Sequence, residues 1–327
     1  MKIETTLSGG FPKLPLEPDQ PNVRVVRNRV DQGKATERDL AEAIRETTRR
    51  IIQMQESAGI DIPVDGQVAW DDSQTYVARG IQGFEIAGLI RYLDTNTYYR
   101  QPEIVGPLSW TRPTTVEGFR AAQTMAHRPI KALLPGPYSL YRFSKDRHYK
   151  DAAQALRAVG EALAHEAKAL EDAGAKWIHF EEPWVGRAAE ADAPLVRAGL
   201  EPLFRGRTAK TVLHIPFRAP AAVFDAIGAL GWSVLGLDLV EAPQSWSLLS
   251  KVPDGRAVAL GLIDARNTKL EDPAQVAQAV ARARSMRPDL EWQLCPTASL
   301  EYLPVDRAAI KVARLVEAAR LASRNGG

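Results

Sequence analysis

Short apolar runs rich in Val, Ile and Leu recur along the chain, and between them lie longer stretches in which apolar residues return at i, i+3 and i+4. A short continuous apolar run marks a strand buried on both faces, and the 3.6-residue period marks a helix packed along one side. The predicted strands are IETTL (3–7), IPVDG (62–66), IKALLPG (130–136), KWIHFEE (176–182), KTVLHI (210–215), SVLGLDL (233–239), AVALGLI (257–263) and EWQLC (291–295). The clearest predicted helices cover 35–55, 151–174 and 272–285, two of them opened by an aspartate that can cap free N–H groups. Eight strands alternating with helices predict an α/β protein, a single (β/α)8 TIM barrel spanning residues 1–327. A doubly wound open sheet is the alternative, but no GxGxxG turn follows the first strand, where dinucleotide binders of that fold carry one.

Residues 82–112 break the rhythm. YLDTNTYYRQPEIVGPLSW reads as extended chain or a hairpin, and so predicts an insertion after the second strand that caps the barrel. The proline-rich LPLEPDQPN (14–22) predicts a long loop at the same end.

Composition narrows the function classes. Of 327 residues, 45% are hydrophobic and 25% charged, as in a globular protein with a large core. Lys and Arg number 42 against 40 Asp and Glu, a net +2 too small to predict a nucleic-acid partner. The basic run RETTRR (45–50) reads as one solvated helix face. A single cysteine, Cys295, excludes an intrachain disulfide and suits a reducing compartment. MKIETTLSGGF has no signal-peptide pattern, and no uncharged apolar run approaches the roughly 18 residues of a membrane span, so a cytoplasmic protein without a membrane partner is expected.

In barrel enzymes the active site is built at the carboxyl ends of the strands. Here those ends read SGGFP (8–12, with Gly10 and Phe11), DGQ (65–67, with Asp65 and Gln67), PGPYS (135–139), EEPW (181–184, with Glu181, Glu182 and Trp184), His214, Asp238 with Glu241, DARN (264–267, with Asp264, Arg266 and Asn267), and Cys295 before PTASLEYLP (296–304). Asp65, Glu181, Glu182, Asp238 and Asp264 are five carboxylates directed to one rim, which calls for a compensating group: Arg266, a metal or a cationic substrate. Each also has a plainer reading. Asp65-Gly66 is a turn, Glu181-Glu182 a helix-start acidic pair, His214 a core histidine, Cys295 a small hydrophobe, and Asp264 with Arg266 a structural pair.

Taken in order, TTLSGGFP, DGQ, LLPGPYS, HFEEPW, VLHIPF, LGLDLVE, GLIDARNTKLED and PTASLEYLP resemble the catalytic domain of cobalamin-independent methionine synthase in its stand-alone core form, within the barrel superfamily that includes uroporphyrinogen decarboxylase. The resemblance implies a methyltransferase that moves a methyl group from a methyl-folate or methyl-corrinoid donor to a thiol such as homocysteine. A zinc ion in that family holds the thiol as thiolate. It also implies small-molecule substrates, a corrinoid or accessory protein as a partner, and a monomer or homodimer. Asp65, His214, Asp238, Asp264 and Arg266 fall at the reacting centre, and Gly10, Phe11, Gln67, Glu181, Glu182, Trp184 and Asn267 at substrate-binding positions.

The chain departs from the pattern at the metal. Of the four zinc ligands, His214 and Asp238 match a histidine and an acidic residue, whereas Pro216 and Ala298 stand where the family has its two cysteines. Two outcomes follow: zinc held by His214, Asp238 and Cys295 with help from Glu241, or zinc lost and His214 left to bind substrate or transfer protons. Gly10 also replaces a serine, and Glu181 an aspartate. Beside methyl transfer stand a metal-free lyase or decarboxylase, with Arg266 holding a substrate carboxylate, and a non-catalytic small-molecule-binding relative.

Overall fold

The computed structural model describes residues 2–324. Ten strands are present among them: β1 (Glu4–Thr5), β2 (Ile81–Arg91), β3 (Tyr98–Trp110), β4 (Lys131–Pro135), β5 (Lys145–Asp146), β6 (Trp177–Glu181), β7 (Lys210–Ile215), β8 (Val234–Asp238), β9 (Ala257–Ile263) and β10 (Glu291–Pro296). Seven of them form one parallel sheet in the order β1-β10-β9-β8-β7-β6-β4. Helices such as Glu37–Ala58, Ala152–Asp172 and Pro273–Met286 cross between strands, and Asp151 and Asp272 cap two of them by accepting from Ala153 and Ala274.

The strands alternate as a two-residue period requires. Val212, Val234, Ala257, Ala259 and Cys295 form a small cluster on one face, while their neighbours Leu213, Leu235, Val258 and Leu294 belong to the main core under the helices. Both faces are therefore buried, which is why these strands read as unbroken apolar runs.

The predicted second strand is where sequence and structure differ. Residues 62–66 contain no regular strand; Thr6 and Ile62 form an isolated parallel bridge, and the Lys131 N–H donates to the Pro63 carbonyl at 2.9 Å. Pro63 has no N–H for a ladder, and the left-handed Gly66 (φ 74°) and Gln67 (φ 51°) turn the chain away at once.

Residues 81–110 form an antiparallel hairpin of β2 and β3, with β5 added parallel to β3. The Tyr99 hydroxyl donates to the Phe143 carbonyl at 2.8 Å, and at the far end the buried Glu166 accepts from Trp110 Nε1 (2.7 Å) and from the N–H groups of Thr114 and Thr115. These ties hold the hairpin over the carboxyl ends of the strands, where Tyr92 and residues 96–99 share a cavity with Glu181 of β6. No helix among the described residues is long and apolar enough to cross a membrane.

Candidate active site

A cavity of about 530 Å³ lies between the hairpin and the strand ends. Its walls come from far apart in the chain: Asp72 and Gln74, Tyr92 and Tyr99, Glu181, and Glu301 with Tyr302. Tyr92 is 8% exposed and stacks on Phe143 at 4.8 Å between ring centroids, and Phe143 in turn meets Trp184 edge-on at 5.9 Å. Aromatic side thus faces acidic side.

The five carboxylates of the strand ends divide into distinct environments. Asp65 closes a turn, its carboxylate accepting from Gln67 N–H at 3.0 Å. Glu182 is fully buried and accepts from Tyr138 N–H (2.9 Å), Ser139 N–H (2.8 Å) and the Ser139 hydroxyl (2.5 Å). A Cβ at Gly136 would come within 2.2 Å of that carboxyl, so only glycine leaves room for it. Asp238 accepts from Phe217, Val240 and Glu241 N–H at 3.1, 3.0 and 2.9 Å, and thereby ties the turn after β8 to the one after β7. Asp264 accepts from Arg266 N–H at 2.8 Å and, with Asn267, lines a separate groove on the outside of the rim. Glu181 alone of the five faces the cavity. Burial, followed by the charge of Glu301, pushes its carboxyl up to about 7.

Arg266 does not neutralise this set. It pairs with Glu241 at 3.0 Å and reaches Asp94 of the hairpin turn at 3.7 Å, with its guanidinium over the Phe217 ring. Trp184 packs between the guanidiniums of Arg142 and Arg187. Gly10 has a local reason: a Cβ there would approach the Glu301 carboxylate to 2.8 Å, and the Gly10 carbonyl accepts from the Ser299 hydroxyl. Phe11 and Gln67 are buried beside the same turn, with Phe11 N–H donating to the Gly66 carbonyl. Glu301, Tyr302, Tyr92 and Gln74 are not among the residues singled out from the sequence, although LEYLP contains the first two and YLDTNTYYR begins with Tyr92. Nothing in their spacing says that the last loop and the hairpin meet.

Residues 3–321 match the family described as cobalamin-independent synthase, catalytic domain. The chain belongs to the cobalamin-independent methionine synthase catalytic-domain family. That membership makes it an enzyme of methyltransferase kind. A methionine synthase of Sulfurisphaera tokodaii is 26% identical over 291 residues, 88% of this chain and 85% of the relative. One of Saccharolobus solfataricus is 27% identical over 88% of this chain and 87% of its own length. Among solved structures, a B12-independent methionine synthase of Shewanella sp. W3-18-1 in complex with selenomethionine superposes with a TM-score of 0.86 at 23% identity, covering 99% of each chain. A putative vitamin-B12-independent methionine synthase of Listeria monocytogenes gives 0.78 at 16% identity over the full length of both. At these identities the structural likeness establishes the shared fold.

The zinc of that family does not fit the residues present. His214 is 1% exposed and neither ring nitrogen has a hydrogen-bond partner; burial holds its pKa down at about 3, so it stays a neutral imidazole. The other donors fail it. Asp238 is engaged by backbone N–H groups, and Pro216 and Ala298 offer no side-chain ligand. Cys295 lies among Val212, Val234 and alanines, and burial pushes its thiol up to about 12, away from the thiolate that binds metal. Among the described residues no three His, Cys, Asp or Glu side chains form a group able to hold a metal ion. His214 instead meets His179 edge-on at 5.2 Å, and its ring fills the space over Gly236.

Proposed function

We propose that this protein transfers a methyl group between two small molecules bound in the cavity under the hairpin, from a donor of methyl-folate or methyl-corrinoid type to a thiol such as homocysteine. The observation that carries the reading is a carboxyl poised near neutrality, Glu181, facing that cavity in a chain matched to the synthase family over residues 3–321. Without a fitting zinc site the thiol needs another route to the thiolate, and a base with a pKa near 7 is suited to accept its proton. In this reading Glu181 takes the S–H proton, sulfur attacks the methyl carbon, and the electron pair of the breaking bond leaves with the donor, on cobalt for a corrinoid or on the folate nitrogen, which takes up the proton that Glu181 removed. Asp65, His214, Asp238, Asp264 and Arg266 shape the surrounding rim, and Gly10, Phe11, Gln67, Glu182 and Trp184 support the binding surface, while Asn267 lies in the groove outside it. We read residues 1–327 as one cytoplasmic domain, with the segment 62–66 completing an eight-membered barrel through its contacts to Thr6 and Lys131.

The test is to incubate the purified protein with homocysteine and either methyl-tetrahydrofolate or methylcobalamin, and to follow methionine by mass spectrometry. Turnover is expected in the unmodified chain, reduced by about a hundredfold or more in Glu181→Gln. If no methionine forms with either donor, the assignment to homocysteine fails.

A further inference from the structure

Arg187 follows β6 in the turn Val185–Arg187, and its side chain is only 18% exposed. It stands on the Trp184 ring at 5.8 Å, and its Nε is buried without a hydrogen-bond partner. Burying guanidinium donors without acceptors costs free energy that a well-packed native structure normally avoids. The anion that faces Arg187 is Asp94, at 3.6 Å from its terminal nitrogen and 3.7 Å from that of Arg266. Both distances exceed hydrogen-bond length, and Asp94 is 58% exposed on the turn between β2 and β3. A third guanidinium adds to the field: Arg218, exposed in the loop after β7, packs its backbone against Gly186, the residue before Arg187, so closely that a Cβ there would come within 2.4 Å of the Arg218 carbonyl, and it acts on Arg187 as a like charge, as Arg266 does. Arg187 and Arg266, from the loops after β6 and β9, thus converge on one loosely held aspartate, with Arg218 of the loop after β7 beside Arg187. The Trp184 ring beneath Arg187 meets Phe143 edge-on, and Phe143 stacks on the cavity-lining Tyr92, which sets Arg187 at the cavity's edge.

We propose that Arg187, with Arg266 and Arg218, is a binding site for an anionic group of the substrate, a carboxylate or a phosphate, for which Asp94 stands in when no ligand is bound. A free carboxylate or phosphate has two or three oxygens and can approach both guanidiniums at hydrogen-bond distance, which the tethered Asp94 does not. The ligand class is therefore a small molecule with an anionic end at this rim and the remainder in the cavity. Asp94 and the anion compete for the same two arginines, so ligand entry releases the hairpin turn from the rim.

This site goes beyond the methyl-transfer reading and rests on geometry alone, so a protein that makes no methionine would leave it standing. The test measures the melting temperature of the full chain against rising inorganic phosphate or glutarate at constant ionic strength, which converts to an apparent Kd. Either anion is expected to raise the melting temperature. Arg187→Gln should weaken the apparent Kd roughly tenfold or more, as loss of a charged hydrogen-bonding partner does. Arg218→Gln, a change on an exposed side chain, should weaken it by a smaller factor, and Asp94→Asn should tighten it. A response to glutarate alone assigns a carboxylate, and one to phosphate alone a phosphate. The proposal is overturned if neither anion binds, if Asp94→Asn leaves the affinity unchanged or weaker, or if Arg120→Gln on the outer helix Val116–Met125 has the same effect as Arg187→Gln.

Discussion

Glu181 and Glu182 are adjacent in sequence and identical in chemistry, yet they do different work: Glu181 is the last residue of β6 and Glu182 the first beyond it. Glu182 is satisfied by three donors of the segment Tyr138–Ser139, whereas Glu181 looks into the cavity with Glu301 as its charged neighbour. The pH dependence of stability follows. The folded carboxyl of Glu181, at about 7, lies above its ordinary value of 4.5, so folding favours the protonated form. That contribution is fully present below 4.5 and is lost as pH rises through 7. Glu181→Gln should therefore match the unmodified protein in urea unfolding at pH 4 and exceed its stability at pH 8 by on the order of 2 kcal/mol. A difference that does not change with pH would refute the assignment. From EEPW alone the two residues are an acidic pair; what separates them is Ser139 on one side and the last loop on the other, both distant in sequence.

At the scale of elements, the far end of the hairpin is tied down by a residue of a helix it does not belong to. Glu166 lies in the helix Ala152–Asp172 and accepts from Trp110 and from the start of the next helix, as well as from the Thr115 hydroxyl at 2.7 Å. Replacing it by glutamine turns one acceptor oxygen into a donor facing N–H groups, at an expected cost of about 2 kcal/mol or more. Hydrogen exchange should then quicken over residues 108–116 while β6 to β10 stay protected; equal protection in both proteins would show that the hairpin is held in some other way. The hairpin itself was legible, since alternation over 82–112 differs from helical spacing. Its anchor was not, because a glutamate within a helical pattern reads as solvated surface until the facing element is known. The segment 62–66 erred in the opposite direction. Its apolar residues read as a strand, but Pro63 and the left-handed Gly66–Gln67 pair leave only isolated contacts.

For the molecule as a whole, the question is what became of the family's metal. With Pro216 and Ala298 at two ligand positions, Asp238 engaged by backbone and Cys295 among aliphatic neighbours, elemental analysis of purified protein should find zinc far below one per chain. The double variant Pro216→Cys with Ala298→Cys should bind it near stoichiometrically, with His214 as a third ligand. Stoichiometric zinc in the unmodified protein would overturn this account.

The sequence by itself determined the alternation of buried strands and helices, the interrupted stretch at 82–112, the family and the loss of both metal-binding cysteines. These are written in local periodicity or in the identity of single residues, and both survive without knowledge of what lies across the sheet. Tertiary structure decided which carboxylate faces the cavity, that Glu301 and the hairpin tyrosines complete its wall, and that Arg187 and Arg266 meet at Asp94. Those relations join residues up to about two hundred positions apart, and the order and register of the strands, set by burial of the whole sheet, bring them together.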